Sequence, residues 1–254
     1  MTDKPDNTQD EAAVALITGG ARRVGRAVAQ RLHHAGLRLV VHYYHSADEA
    51  RSLQQELNQI RPDSVILVTA DLSRTKQVRQ LAKTAVNSFG RLDVLFNNAS
   101  TFFPTPVDAT MDHHWDQLMN VNLRAPFFLA QALAPTLAAH HGCIINMVDI
   151  YAQRPLLEHP VYCAAKAGLA SLTRSLAREL GPQVRVNGIA PGAIEWPENF
   201  CDELARRRMI ASTPLKKTGS PQDIAELAWF LIHRAGFING QIVAVDGGRS
   251  VVPG

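Results

Sequence analysis

The chain has 254 residues, 46% of them apolar and 19% charged, enough apolar side chain to build one large α/β domain or two small ones. Its net charge of +3 is spread along the sequence with no basic run, which argues against a nucleic-acid partner. No apolar stretch approaches the ~18 residues of a membrane span, and the polar first eleven residues lack the apolar core of a secretory signal. The three cysteines, Cys143, Cys163 and Cys201, form no CxxC or metal-ligand spacing, and they predict reduced thiols in a cytoplasmic protein with no metal.

Residues 1–11 are expected to be a flexible tail, followed by one domain over 12–254. From residue 12 short β-rich runs alternate with longer helical patterns. Strands are predicted at 14–18, 38–43, 64–69, 92–96, 143–148, 184–190 and 242–245, and helices at 23–35, 47–60, 75–89, 112–140, 161–180 and 221–233. Most of the strands are unbroken apolar runs, as expected of strands buried on both faces of a parallel sheet. Strand–helix alternation of this kind predicts a Rossmann-type, doubly wound, seven-stranded parallel sheet in a single domain. Residues 191–213 interrupt the alternation after a strand end. That is where ligands bind in open α/β sheets, so the segment, with Trp196 in it, is a candidate substrate lid.

The first strand runs into Thr18-Gly19-Gly20-Ala21-Arg22-Arg23-Val24-Gly25 and then a helix. Glycines allow a tight turn and close backbone approach to a pyrophosphate, and the helix N-terminus adds partial positive charge. The spacing is T-G-x-x-x-R-x-G, not GxGxxG. A cation such as Arg23 at a helix start costs roughly a few tenths of a kcal/mol unless an anion or electron-rich ligand sits beside it. Strand two ends at His42-Tyr43-Tyr44-His45-Ser46, without the Asp or Glu that usually holds the ribose hydroxyl of NAD. His45 and Ser46, with Arg22, can donate to a 2′-phosphate, which favours NADPH.

Tyr162 and Lys166 stand four apart in a helical pattern and so share a face. A phenol titrates near pH 10 and is a poor acid at neutrality. A neighbouring ammonium is expected to lower that value and make Tyr162 a usable proton donor. Asn97-Asn98-Ala99 follows the fourth strand, Asn122 lies in a helical segment where it could hold a water beside Lys166, and Asp246-Gly247-Gly248 follows the last strand.

Together with Asp71-Leu72 and Pro191-Gly192, these motifs resemble the short-chain dehydrogenase/reductase family over nearly the whole chain. The resemblance implies that Asp71 and Leu72 lie near the adenine. It puts Asn97, Ala99, Ser100, Asn122, Tyr162 and Lys166 along the cofactor, and Pro191, Gly192 and Ile194 near the nicotinamide. Most of that family carry Ser thirteen residues before the Tyr; here the position is Asp149. Asp is unsuited to gripping a carbonyl oxygen unless protonated, but it suits a nitrogen heterocycle.

Four local patterns are similar to pteridine reductases: Arg23 in the glycine turn, the run 42–46, Asn98-Ala99-Ser100-Thr101-Phe102-Phe103-Pro104-Thr105-Pro106, and Asn146-Met147-Val148-Asp149 followed by Pro155-Leu156-Leu157. That likeness implies a pterin stacked between Phe102 and the nicotinamide, with Arg23 and Ser100 on its polar edge. Asp149 and Tyr162 would then serve proton transfer, Trp196 would line the lid side, and the protein would be a homotetramer. Two alternatives stay open at this point: a carbonyl reductase acting on 3-oxoacyl or sugar substrates, and a non-catalytic dinucleotide sensor.

Overall fold

A computed structural model describes residues 12–195 and 203–252. The predicted tail, residues 1–11, and Trp196 lie outside the described residues. Seven parallel strands form one sheet: β1 (Val14–Ile17), β2 (Arg38–Tyr43), β3 (Val65–Thr69), β4 (Val94–Asn97), β5 (Cys143–Met147), β6 (Arg185–Pro191) and β7 (Ile242–Val245). Their spatial order is β3-β2-β1-β4-β5-β6-β7. Each pair is in parallel register, with Ile17 opposite both Val41 and Phe96, and Met147 opposite Ile189.

β1 shows why the strands read as unbroken apolar runs. All four of its residues are fully buried, Ala15 and Ile17 in one core, Val14 and Leu16 in the other. The first core is closed by helices α1 (Arg23–His34) and α8 (Pro221–His233). The second is closed by α3 (Thr75–Phe89) and α5 (Ala125–Ala139). Burying such a Leu or Ile removes about 1.5–3 kcal/mol worth of apolar surface from water, so a strand with no polar position can only lie inside.

The helix boundaries follow local chemistry. α2 (Ala47–Ile60) opens with Asp48 and Glu49, which complement the positive end of its dipole. α3 stops at Gly90 in the left-handed region, φ 72°. α8 begins with Pro221 and a reciprocal Ser220–Asp223 cap.

Two segments depart from expectation. The single helix predicted over 112–140 is α4 (Asp112–Met119) and α5, joined by a π turn over Asn120–Arg124. π turns widen a helix locally and concentrate at functional sites; apolar periodicity does not register one extra residue per turn. Inside the candidate lid lies a helix, α7 (Glu203–Ser212), whose largely polar sequence gave no apolar stripe to read.

The sheet reverses its winding between β1 and β4. The segments after β1, β4, β5 and β6 therefore meet at one edge of the sheet, around a crevice outside the strands' carboxyl ends.

Candidate active site

The crevice is a cleft of about 950 Å³. Gly19, Arg22, Arg23, Val24 and Gly25 line it from the turn after β1, and Tyr44, His45 and Ser46 from the end of β2. Asp71 and Leu72 follow from β3, Ala99 and Ser100 from β4, Asp149 from β5, Tyr162 and Lys166 from α6 (Pro160–Glu179), and Pro191, Gly192 and Ile194 from β6.

The turn after β1 is held from beneath. Gly19 has φ +60°. A Cβ on Gly25 would collide with the Gly19 carbonyl and lie 2.7 Å from Asn98 Nδ2 and 2.9 Å from Gly20 Cα. Asn98 Nδ2 donates to the carbonyls of Thr18 and Gly19, both at 2.9 Å. The backbone N–H groups of Asn98 and Ala99 donate to Thr18 Oγ1 at 2.9 and 3.0 Å. His42 is buried: its Nδ1 accepts from the Gly19 N–H at 3.1 Å and its Nε2 meets the Ala70 carbonyl at 2.9 Å. Burial drives the His42 imidazole down to about 4, so it is a neutral strut under the turn. This cradle has the form that a dinucleotide pyrophosphate requires, with main chain close enough to touch and a helix start behind it.

The geometry gives four of the predicted site residues surroundings other than those expected. Tyr43 does not line the cleft. His42 within β2 and Tyr44 just beyond its end line the cleft, and Tyr43 between them does not. Asn97 lies inside the sheet, donating to Asn146 Oδ1 at 2.8 Å, and the contact with the glycine turn comes from Asn98. Asn122 is buried, but its amide is spent on the loop after β4. Oδ1 accepts from Ser100 Oγ at 2.6 Å and from the Thr101 N–H at 3.3 Å, and Nδ2 donates to the Thr101 carbonyl at 2.9 Å. Nδ2 also meets Thr101 Oγ1 at 3.4 Å, so the side chain is engaged by the loop.

The fourth is Tyr162. Its hydroxyl donates to Asp149 Oδ2 at 2.7 Å, whereas Lys166 Nζ turns to the Met147 carbonyl at 2.8 Å. Burial, and then the Asp149 carboxylate, hold the Tyr162 phenol well above 10, opposite to the lowering expected from Lys166. Burial also raises Asp149 above the ordinary carboxylate value and pulls Lys166 down to about 8. The other oxygen of Asp149 accepts from the Tyr151 N–H at 2.9 Å, capping the short 3₁₀ turn Ile150–Ala152. One carboxylate thus both fixes its own loop and faces the phenol.

Beside this pair stands Phe102, 54% exposed, with its ring T-shaped to Tyr162 at 4.8 Å between centroids. Arg23 reaches over the cleft from the glycine turn and donates to the Glu195 carbonyl at 2.7 Å, at the base of the lid segment. Arg22 pairs with Glu49 at 3.5 Å, a carboxylate on the first turn of α2 that sequence reasoning did not connect with this region. Thr18 and Asn98 brace the turn from their places in its flanking motifs, and His159, whose ring stacks on Phe102, carries no motif that marks it. Asn98 stood inside the N-N-A motif, and His159 lies one helical turn before Tyr162. Among the described residues no group of three or more His, Cys, Asp or Glu could hold a metal ion, and no helix is long and apolar enough to cross a membrane.

The chain matches the family model described as enoyl-(acyl carrier protein) reductase over residues 19–250. It is 36% identical to pteridine reductase 1 of Leishmania tarentolae, across 96% of this chain and 98% of that protein. It is 37% identical to a putative ketoacyl reductase of the granaticin polyketide synthase of Streptomyces violaceoruber, across 95% and 98%. It is 33% identical to a 3-oxoacyl-[acyl-carrier-protein] reductase of Staphylococcus epidermidis, across 92% and 97%. With such matches along nearly its whole length, and a sheet and cleft of the kind described, the chain belongs to the short-chain dehydrogenase/reductase family and is an oxidoreductase.

Proposed function

We propose that the protein is an NADPH-dependent pteridine reductase that reduces a C=N bond of a dihydropterin to the tetrahydro form, with pterins and folates as further substrates. The observation that carries this reading is the Asp149–Tyr162 pair, 2.7 Å apart, with the exposed ring of Phe102 T-shaped to Tyr162. A carboxylate with a raised proton affinity can exchange protons with a ring nitrogen, and an exposed aromatic ring beside it can stack on a flat heterocycle. For a ketone, an ionised Asp149 would instead repel the carbonyl oxygen.

Bound NADPH would supply the hydride. The cradle at Gly19, Arg22, Arg23 and Val24 would hold its pyrophosphate, and Asp71 and Leu72 its adenine. Tyr44, His45, Ser46 and Arg22 would hold its 2′-phosphate. Ala99, Ser100, Tyr162 and Lys166 would lie along its ribose and nicotinamide, closed by Pro191, Gly192 and Ile194. Tyr162 gives its hydroxyl proton to the substrate nitrogen beside the reduced carbon; the Asp149 carboxylate then takes up a proton from solvent and passes it to the phenolate across their 2.7 Å contact. The Lys166 ammonium offsets the negative charge on the way. Phe102 stacks on the pterin, and Arg23 and Ser100 meet its polar edge. Cytoplasmic location and a homotetrameric state complete the proposal.

The ketoacyl reductases among the relatives support the second reading, a carbonyl reductase. One assay separates the two: NADPH oxidation measured in parallel with dihydrobiopterin, dihydromonapterin, dihydrofolate and a 3-oxoacyl thioester. Turnover of the thioester alone would replace the pterin reading with the second one.

A further inference from the structure

The exposed ring of Phe102 is backed by a second ring. His159 stacks on it with centroids 4.5 Å apart and planes within 11°. The imidazole is itself fixed, because its Nδ1 meets the Leu157 carbonyl at 2.8 Å, which makes Nδ1–H the donor. The backbone under it is equally constrained. The Thr105 N–H donates to the Glu158 carbonyl at 2.6 Å, and the Val161 N–H donates to Thr105 Oγ1 at 3.4 Å, with Thr105 fully buried. Glu158 holds φ +63°, a left-handed conformation that a non-glycine residue keeps only when its surroundings impose it. These contacts join the loop after β4, which carries Phe102, to the segment before α6, which carries His159. The His159 side chain makes no hydrogen bond to the start of α6, so capping that helix does not explain its place.

We infer that His159 is a positioning residue: it holds the Phe102 ring in one plane against Tyr162, so that the site selects flat aromatic substrates. An exposed Phe without a backing ring samples several rotamers and must be ordered each time a substrate stacks on it. A ring already stacked has lost that freedom before binding. Aromatic pairs contribute enough beyond buried area to change affinity by about two- to tenfold. The gain is confined to substrates that use the Phe102 face. A flexible thioester draws nothing from it.

This inference rests on the pterin reading, and the test keeps the two apart. Wild type, His159→Leu and His159→Phe are assayed with NADPH and dihydrobiopterin, with NADPH affinity and melting temperature measured on the same preparations. Leu keeps the bulk and loses the aromatic face; Phe keeps the face and loses the hydrogen bond. The expected result is a KM for dihydrobiopterin raised about two- to tenfold in His159→Leu, with kcat and NADPH affinity near wild type and KM recovered in His159→Phe. A KM in His159→Leu that is unchanged or lower overturns the inference while leaving the pterin reading intact. A KM that stays high in His159→Phe overturns it as well, since bulk or the imidazole hydrogen bond would then be responsible. Wild-type enzyme that oxidises NADPH with a thioester but not with any pterin overturns both. If His159→Leu does not fold, His159→Gln, soluble and non-aromatic, takes its place under the same criteria.

Discussion

Around the turn after β1 the cleft is walled by main chain, braced from below by Thr18, His42 and Asn98, whereas around β5 and α6 it is walled by side chains converging from separate segments. The first half is local. One strand–turn–helix unit supplies the cradle, and its neighbours only hold it still. The second half exists only after β4, β5 and α6 have packed, because Phe102, Asp149 and Tyr162 come from three different segments. Polar groups differ likewise. His42 is kept neutral as a strut, with a value of about 4, while Asp149, Tyr162 and Lys166 form a coupled set whose proton affinities are shifted by burial and by one another. The half built on main chain is therefore expected to be most sensitive to added volume, and the half built on side chains to altered chemistry.

The largest effect should come from the side-chain half. Tyr162→Phe removes the proposed proton donor and is expected to lower kcat by about 10²–10⁴-fold, with NADPH binding nearly unchanged when titrated by fluorescence. A variant keeping more than half of wild-type kcat would remove Tyr162 from the proposed chemistry.

Asp149→Ala and Asp149→Ser should cut dihydropterin turnover at least about tenfold, since an unmatched buried polar partner costs about 1–3 kcal/mol. Because Asp149 also caps the turn at Tyr151, a lower melting temperature is expected as well. The decisive quantity is turnover per folded molecule; full activity in a folded variant would leave Asp149 with a purely structural role.

The main-chain half should fail by volume. Gly25→Ala places a methyl against the Gly19 carbonyl and Asn98, and is expected to cost about 1–3 kcal/mol in overpacking. The readouts are melting temperature and NADPH affinity, both of which should fall. Unchanged values for both would mean that the turn is not the close-fitting cradle described.

A pH series sharpens the contrast. Lys166 titrates at about 8 in the folded chain, below its ordinary 10.5, so its positive charge is lost as pH rises through about 8. The value of kcat/KM should therefore fall above about pH 8, while Tyr162, held well above 10, stays protonated. Stability should move the other way. Between about 8 and 10.5 the folded state binds fewer protons at this group than the unfolded chain does, so its contribution rises with pH. Lys166→Met should abolish both slopes, and an activity limb that persists in that variant would assign it to another group.

The smallest effect belongs to the rim. Ser46→Asp adds a carboxylate beside the proposed 2′-phosphate position and should shift preference from NADPH toward NADH without loss of fold. Equal kcat/KM for the two cofactors in wild type would count against the NADPH assignment itself. Glu49 already pairs with Arg22 nearby, so Glu49→Gln should strengthen the NADPH preference slightly.

The sequence by itself determined the parallel sheet, because strands with no polar position can only be buried on both faces, and the end of α3 and the start of α8, because a left-handed glycine and a capping box are local. It also determined the glycine cradle and the shared face of Tyr162 and Lys166, since a turn motif and a four-residue helical spacing carry their own geometry. Only the tertiary structure decided that Asn98 rather than Asn97 braces the turn, and that Asn122 spends its amide on the Ser100–Thr101 loop. It alone decided that the Tyr162 hydroxyl donates to Asp149 while Lys166 turns to the Met147 carbonyl, and that His159 lies flat on Phe102. Hydrogen-bond partners and proton affinities depend on which groups meet in the buried space between segments. That pairing is fixed by packing between segments far apart in the chain, eighty residues between Asn98 and Thr18 and 172 between Arg23 and Glu195, and leaves no mark on the local pattern.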